Sequence, residues 1–395
     1  MKTNTRFTRN LLAAAVAVAL PGAAVAQQLE EVMVTATKRV ESTQDIPMAV
    51  EAFDGETLNQ LGVLDFATLS ETIPNFNVAD GLVTTNVSMR GMGSGVDRSF
   101  EQSVGMFIDD IYMPRSRQYR SPFFDAERVE VLRGPQAVLF GLNSTAGAVA
   151  IHTARSRPGD DFGAKVTLAY ETEYEGVRGA VVLGGSPTDR LGLRFAAEYI
   201  DSDGYFDNDF NGKTEGNREA ELYRLSAVWE PTDNLTIDAK YEWSVYDQDG
   251  SHGEAYGTDA ASILDGGDGK LNWRRNVDSS LIGTYPKGAG GTQNVKPGLY
   301  QEIENASIKL DYLLGDYTLT GIFGYSDMEY SFGLDLDTIA GGLTPADINS
   351  GAGFIDASIS PETYEQTSFE FRVTSPGGAV VDWMAGIYYQ DSEFY

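Results

Sequence analysis

Four arginines and a tyrosine offer the clearest ligand chemistry in this sequence. Arg115, Arg117, Tyr119 and Arg120 crowd the polar segment from Pro114 to Pro122, and Arg98 stands in the loop before it. Clustered guanidinium groups present forked donors that match carboxylate and other anionic oxygens. The competing reading is a solvated loop whose charges pair with neighbouring acids. Asp109-Asp110 has the residue types for acid–base work, but the pair sits between the apolar runs Val104–Ile108 and Ile111–Met113. Two residues so placed make a tight hairpin turn, and we assign a turn rather than catalysis. Gly91-Met92-Gly93-Ser94-Gly95 matches the spacing of no phosphate-binding fingerprint and reads as a flexible loop. Asp207, Asp209, Asn211 and Gly212 imitate the start of a calcium loop, yet Arg218 stands where the bidentate Glu belongs, which leaves an acidic solvated loop. His152 falls within a short apolar strand and His252 in a long loop, and the 395 residues hold no cysteine. Haem and zinc sites therefore lack support, and no metal or resident cofactor is expected. No nucleophile, base and orienting acid stand in a recognisable order, so an enzyme is not expected.

Charge and composition narrow the class. The formal charge is −29, and removing Lys2, Arg6 and Arg9 with the N-terminal leader takes it to −32. So acidic a chain lacks the basic footprint that nucleic acid requires. Beyond the leader no window of 18 apolar residues occurs, so membrane-spanning helices are excluded and any membrane role must use strands. The leader itself has a charged start, the apolar run Leu11–Leu20 and the small-residue site Ala24-Val25-Ala26. Residues 1–26 are read as a secretory signal, cleaved after Ala26.

Residues 27–40 form the next segment. In it Val32, Val34 and Ala36 alternate with Met33 and Thr35, after Glu31 and before Lys38-Arg39. The stretch is too short to own a core. It fits a frayed terminal strand or an extended peptide that adds itself to a partner's sheet edge.

Residues 41–161 read as a small α+β domain. Asp54 before Glu56-Thr57-Leu58 and Asp65 before Phe66–Leu69 predict two short capped helices, the second ended by Pro74. Val87–Met89 predicts a strand leading into Arg90-Gly91. The domain centres on RVEVLRGPQAVLFGLNSTAGAVAIHT, residues 128–153: a β-branched strand, a break at Arg133-Gly134-Pro135, an apolar cluster before Gly141, and a small-residue strand from Ala146 to Ile151. Its glycine and alanine content implies closely packed backbones.

This stretch resembles the plug domain of TonB-dependent outer-membrane receptors, whose most recognisable segment is a run like Val-Glu-Val-Leu-Arg-Gly-Pro-Gln, then Phe-Gly and a Gly-Ala-rich strand. Val87–Gly91 resembles the family's Ile-Arg-Gly strand end, with Met89 in place of isoleucine. Ala146 replaces the first glycine of the usual pair, Ala150 the common asparagine, and Asp110 the usual glycine of an Asp-Gly turn. By the same resemblance, Glu31-Val32-Met33-Val34-Thr35-Ala36 looks like the TonB box, implying pairing with the periplasmic domain of TonB. The resemblance implies that Arg90, Gly91, Arg133, Gly134, Pro135 and Gly141 carry the plug motif. It also places the Arg98 and Arg115–Arg120 loops at an outer mouth where ligand is touched.

From Phe162 onward the pattern becomes period-2 alternation, as in Leu235, Ile237, Ala239, Tyr241, Trp243 and Val245 against Thr236, Asp238, Lys240, Glu242 and Ser244. Nine strands are predicted near 163–174, 175–184, 190–200, 220–230, 235–246, 302–313, 317–328, 364–375 and 379–390. Tight turns alternate with long polar loops, which is the signature of an outer-membrane barrel facing lipid, and strands of about ten residues span a bilayer at a tilt. Residues 162–395 are therefore expected to be part of a transmembrane antiparallel β-barrel. A barrel that encloses such a plug needs about 22 strands, so this chain is expected to be the N-terminal portion of a longer protein. The fold class is thus mainly β, an α+β plug inside a barrel. The resemblance implies active transport of a scarce small molecule, most simply a ferric siderophore, with cobalamin, other chelates and carbohydrate as alternatives. A passive porin would leave both box and plug without a purpose.

Overall fold

The structure is a computed structural model that describes residues 33–395, apart from 81–84, 96–100, 209–212, 250–282, 336–356 and shorter interruptions. The leader at 1–26 lies outside the described residues.

Two two-residue strands, β1 (Met33–Val34) and β2 (Glu41–Ser42), pair antiparallel at the N-terminus. The strands β3 (Ala49–Asp54), β4 (Phe76–Asp80), β5 (Thr85–Met89), β6 (Met92–Gly93), β7 (Val104–Ile108), β8 (Ile111–Met113), β9 (Ala126–Arg133) and β10 (Gly147–Thr153) follow. Five of them make one sheet in the order β3-β9-β10-β7-β8. The two predicted helices form as α1 (Gly55–Leu61) and α2 (Phe66–Thr72). Asp54 caps α1 by accepting from the Thr57 amide, and Asp65 closes a capping box with Thr68. Leu58, Phe66 and Leu69 from these helices pack on Val129, Val131, Val149 and Ile151, one face of the sheet. A third short helix, α3 (Ala137–Phe140), ends at Gly141, whose φ of 74° suits a residue without Cβ. The expected flexible glycine loop is instead a hairpin. Met92 and Gly93 pair with Met89 and Ser88 around Arg90-Gly91, both at positive φ.

All nine predicted barrel strands are present: β11 (Gly163–Glu171), β12 (Gly176–Thr188), β13 (Leu191–Ser202), β16 (Arg218–Thr232), β17 (Leu235–Asp249), β20 (Gly298–Leu314), β21 (Tyr317–Asp335), β23 (Glu362–Thr374) and β24 (Met384–Phe394). They form an antiparallel meander in chain order, with β11 and β24 at its two ends among the described residues. Most exceed the expected ten residues, because pairing continues into the predicted loops. Those loops also hold the hairpin β14 (Phe206–Asn208) with β15 (Lys213–Glu215), the hairpin β18 (Gly283–Lys287) with β19 (Gly291–Val295), and β22 (Ala357–Ile359) against β21. The calcium-like stretch is thus part of a hairpin, with Asp207 paired to Thr214; Asp209, Asn211 and Gly212 lie outside the described residues. The last strand starts later than predicted, at Met384, because Ser375 and Trp383 close the preceding turn through two hydrogen bonds.

Alternation sorts the barrel side chains inside out relative to a soluble protein. Lys240 and Glu242 face the plug at 5% and 2% exposure, while Leu225, Trp229 and Tyr241 point away at 56%, 48% and 47%. No helix among the described residues is long and apolar enough to cross a membrane. An outward apolar band on antiparallel strands is the arrangement that lipid requires.

Candidate functional site

The second face of the five-stranded sheet carries the N-terminal segment. Alternation puts Arg128, Glu130 and Leu132 on this face of β9, and the register sets His152 and Ala150 of β10 opposite Arg128 and Glu130. Ala148 and Ala150 are small enough for a backbone to lie over them, and Val34, itself fully buried, packs into the cluster with Leu132 and both alanines. Beside it Glu130, fully buried, accepts hydrogen bonds from the Thr35 amide at 2.8 Å, Thr35 Oγ1 at 3.1 Å and Arg128 Nε at 2.7 Å. His152 Nε2 lies 3.4 Å from the same carboxylate oxygen and 3.1 Å from Thr35 Oγ1. Burial opposes the charge on Glu130, but His152, Arg128 and the Thr35 amide outweigh it and hold the carboxyl at about 2, against an ordinary 4.5. With the folded value depressed, this contribution is complete above about 4.5 and is lost as pH falls toward about 2. Acidification through that window is expected to free the segment. Loss of protection at the Thr35 amide in hydrogen exchange would show it, and protection unchanged to the acid end would contradict it.

The turn between β7 and β8 is the second centre. Asp109 and Asp110 sit at φ of 50° and 70°, the left-handed turn expected between these strands. Their carboxylates do more than turn the chain. Asp109 accepts from Lys240 of β17 at 2.6 Å and from the amide and hydroxyl of Thr153, with Arg155 at 3.3 Å. Asp110 bonds Lys38 of the N-terminal segment at 2.9 Å and Lys309 of β20 at 3.1 Å, with Arg372 of β23 at 3.8 Å. Burial disfavours both charges, yet the cations around them hold each carboxyl well below the usual range. One two-residue turn therefore ties N-terminal segment, sheet and barrel together.

The arginine loop is the third. Ser116–Arg120 forms a 3-10 helix. Arg117 is 1% exposed, pairs with Glu362 of β23 at 2.7 Å and lies 3.6 Å over the ring of Tyr330. Gln301 of β20 donates to the Arg117 carbonyl, and Gln118 donates to Ser326 of β21. Arg115 lies 3.9 Å from the ring centre of Phe394 and 5.1 Å from that of Tyr364, and its Nε and Nη1 have no hydrogen-bond partner among the described residues.

The comparison with protein families decides what this assembly is: residues 42–148 match the TonB-dependent Receptor Plug Domain. Residues 42–148 thus form a plug domain of the kind found in TonB-dependent receptors. The ferric yersiniabactin uptake receptor of Yersinia pestis has a similar fold, with a TM-score of 0.67 at 18% identity over 88% of this chain and 49% of that one. The ferripyoverdine receptor of Pseudomonas aeruginosa superposes with a TM-score of 0.63 at 14% identity, over 92% of this chain and 44% of that one. In sequence, the iron-regulated outer membrane virulence protein of Vibrio cholerae is 28% identical over 140 residues, 32% of this chain and 20% of that protein. The hemin receptor of Yersinia pestis is 27% identical over 187 residues, 42% and 26% of the two chains. The chain thus spans about half the length of the solved receptors it matches.

Within this plug domain Arg90, Gly91, Arg133, Gly134 and Pro135 of the expected motif are brought together around one loop. Arg133 pairs with Glu51 at 2.7 Å. Gly134, at φ of 107°, leaves room for the Arg90 guanidinium, which a Cβ there would meet at 3.1 Å. Pro135 follows in the turn to α3, and Arg90 donates its amide to the Asn75 carbonyl beside Gly91. Of the proposed TonB box, Met33, Val34 and Thr35 are placed as described above, while Glu31, Val32 and Ala36 lie outside the described residues. Arg98 also lies outside them, and Tyr119 and Arg120 are placed only as backbone of the 3-10 helix. Arg117, expected to touch ligand, has its guanidinium buried against the barrel wall and paired with Glu362. Sequence reasoning missed the roles of Lys38, Asp109, Asp110, Glu130 and His152. Arg128, Glu130 and His152 carried a signal, since a strand period of 2 puts polar side chains on the face where Leu132 and Ala148 are apolar.

Proposed function

We propose that the full-length receptor imports a small metal chelate, most simply a ferric siderophore, across the outer membrane, driven through contact of residues 31–36 with the periplasmic domain of TonB. The observation that carries this reading is the seating of Val34 and Thr35 on the plug sheet, a short extended segment whose removal would disturb the centre of the plug. Strand addition to such a segment gives a partner a grip through backbone hydrogen bonds. The names of the similar proteins support an iron-bearing cargo: ferric yersiniabactin and ferripyoverdine for two solved receptors, and iron regulation for one sequence relative. A haem cargo is the second reading, carried by the likeness to a hemin receptor.

Val34→Pro removes a backbone donor and is expected to abolish uptake while leaving surface binding intact. Radiolabelled ferric-chelate uptake in iron-limited cells carrying the full-length protein measures this, with hemin as the alternative iron source. Uptake that is equal in wild type and variant would overturn the driven-import reading.

A further inference from the structure

The face that the barrel strands turn away from the plug is apolar up to a sharp edge, and the charge at that edge has one sign. In the phase of Tyr241, the first carboxylate met on climbing toward the long loops is Asp201 on β13, Asp247 on β17, Glu304 on β20, Asp327 on β21, Glu365 on β23 and Asp391 on β24. Asp201 is level in the ladder with Asp247 through Glu219, and Asp327 is level with Trp243 through Glu304. The carboxylate line therefore drops four positions over the four strand steps from β13 to β21. The lower apolar edge drops equally. Leu191 is level with Ile237 through Trp229, whereas Tyr317 lies two positions below Leu319, which is level with Leu235 through Tyr312.

A drop of one residue, ~3.3 Å, per ~4.8 Å strand step traces a level line on strands tilted by about 35°. The two edges thus lie in parallel planes. Asp201 stands ten positions above Leu191, and Asp327 ten above Tyr317. At that tilt ten positions rise about 27 Å, close to the ~25 Å lipid-facing band of an outer-membrane barrel. Tyr199, Tyr325 and Tyr389 stand one outward position below Asp201, Asp327 and Asp391, where amphipathic rings meet headgroups. The carboxylates are therefore at headgroup level. Among the described strands no lysine or arginine takes the outward phase; Arg194, Arg224, Lys240, Lys309 and Arg372 all face the plug side. Glu304, Asp327 and Glu365 stand directly opposite one another on neighbouring strands, where like charges repel.

We propose that this rim is a lipid-headgroup interface selective for lipids whose headgroup presents an ammonium group. The apolar band fixes the partner as a lipid independently of charge, and the single sign of the rim selects among headgroups. Carboxylates attract an ammonium and repel an anionic headgroup within a Debye length, ~8 Å at physiological ionic strength. The interface belongs to the outer wall and does not depend on what the receptor imports.

The test uses full-length protein in phosphatidylcholine vesicles at low salt without divalent ions. A fluorophore is attached at Thr367→Cys, one outward position below Glu365, or at Val373→Cys near the lower edge. Trace phosphatidylcholine or phosphatidylglycerol carrying the same doxyl chain quenches it. At Thr367→Cys the choline lipid is expected to quench more strongly than the glycerol lipid by about threefold or more. Neutralising the rim with Glu304→Gln/Asp327→Asn/Glu365→Gln should bring that ratio close to one and leave the ratio at Val373→Cys as it was. A ratio near one with the rim intact, or a high ratio that survives neutralisation in protein with heat-modifiable migration, overturns the proposal. If the triple variant does not assemble, Asp327→Asn alone should lower the ratio, and an unchanged ratio is equally decisive against it. Enrichment of the glycerol lipid at Thr367→Cys once magnesium is added would make phosphate with its divalent ions the preferred neighbour, and the ammonium assignment would fall.

Discussion

Asp110→Asn is expected to destabilise the plug within its barrel by about 3–5 kcal/mol, the range found when one partner of a buried ion pair is removed. The substitution isolates charge from backbone, since Asn tolerates the φ of 70° that the turn demands. What remains is a set of cations without their anion. Lys309 is a third exposed and can turn toward water, and Arg372 keeps Glu370 at 2.8 Å. Lys38 has neither escape: its side chain is 6% exposed and sits over the rings of Phe140 and Phe107 at 4.8 and 5.7 Å. The ring faces supply part of the lost field, so the cost belongs at the lower end if Lys38 alone suffers and at the upper end if the segment detaches. Urea unfolding of the full-length protein in detergent measures the loss. A midpoint unmoved by Asp110→Asn would mean that Lys38 is already solvated, and the tie between N-terminal segment and barrel would have to be abandoned. Asp110→Asn combined with Lys38→Met should recover part of the loss, because the orphaned charge is then gone.

The architecture was legible because membrane strands write a strict pattern. Leu235 to Val245 alternates apolar and polar at every position, and a one-residue slip would turn Tyr241 inside and Lys240 outside. The two helices were legible for a local reason, since Asp54 and Asp65 each satisfy amides three residues onward. Strand ends were less so. Backbone pairing needs no side-chain pattern, and Asp391 to Phe394 join β24 although their alternation is weak. Hidden from the sequence were contacts that close over long separations. Asp110 meets Lys309 across 199 residues and Lys38 across 72, and no local spacing encodes either. Asp109-Asp110 was readable as a turn and unreadable as a hub, because the turn is set by neighbours and the hub by a barrel wall that forms elsewhere.

Arg117→Met and Arg115→Met are expected to fail in opposite ways, and the contrast separates scaffold from ligand contact in the arginine loop. Arg117→Met removes the cation beside Glu362, whose side chain is 7% exposed, and should cost about 3–5 kcal/mol in stability. The ring contact at Tyr330 survives in part, because a thioether also packs well on an aromatic edge. Chelate affinity per folded molecule should be unchanged, since the guanidinium is shut away from any outer mouth. Arg115→Met leaves no anion stranded, as the described contacts of that side chain are two aromatic rings. Its stability cost should stay near the ~2 kcal/mol of a desolvated cation–π contact. Affinity for an anionic chelate should fall about tenfold or more, because two of its nitrogens have no acceptor among the described residues and a ligand oxygen would supply one. Titration of both variants with ferric chelate, alongside urea unfolding, resolves the two. A stable Arg117→Met with weakened binding would return that residue to the ligand, and an Arg115→Met with full affinity would remove the arginine loop from recognition.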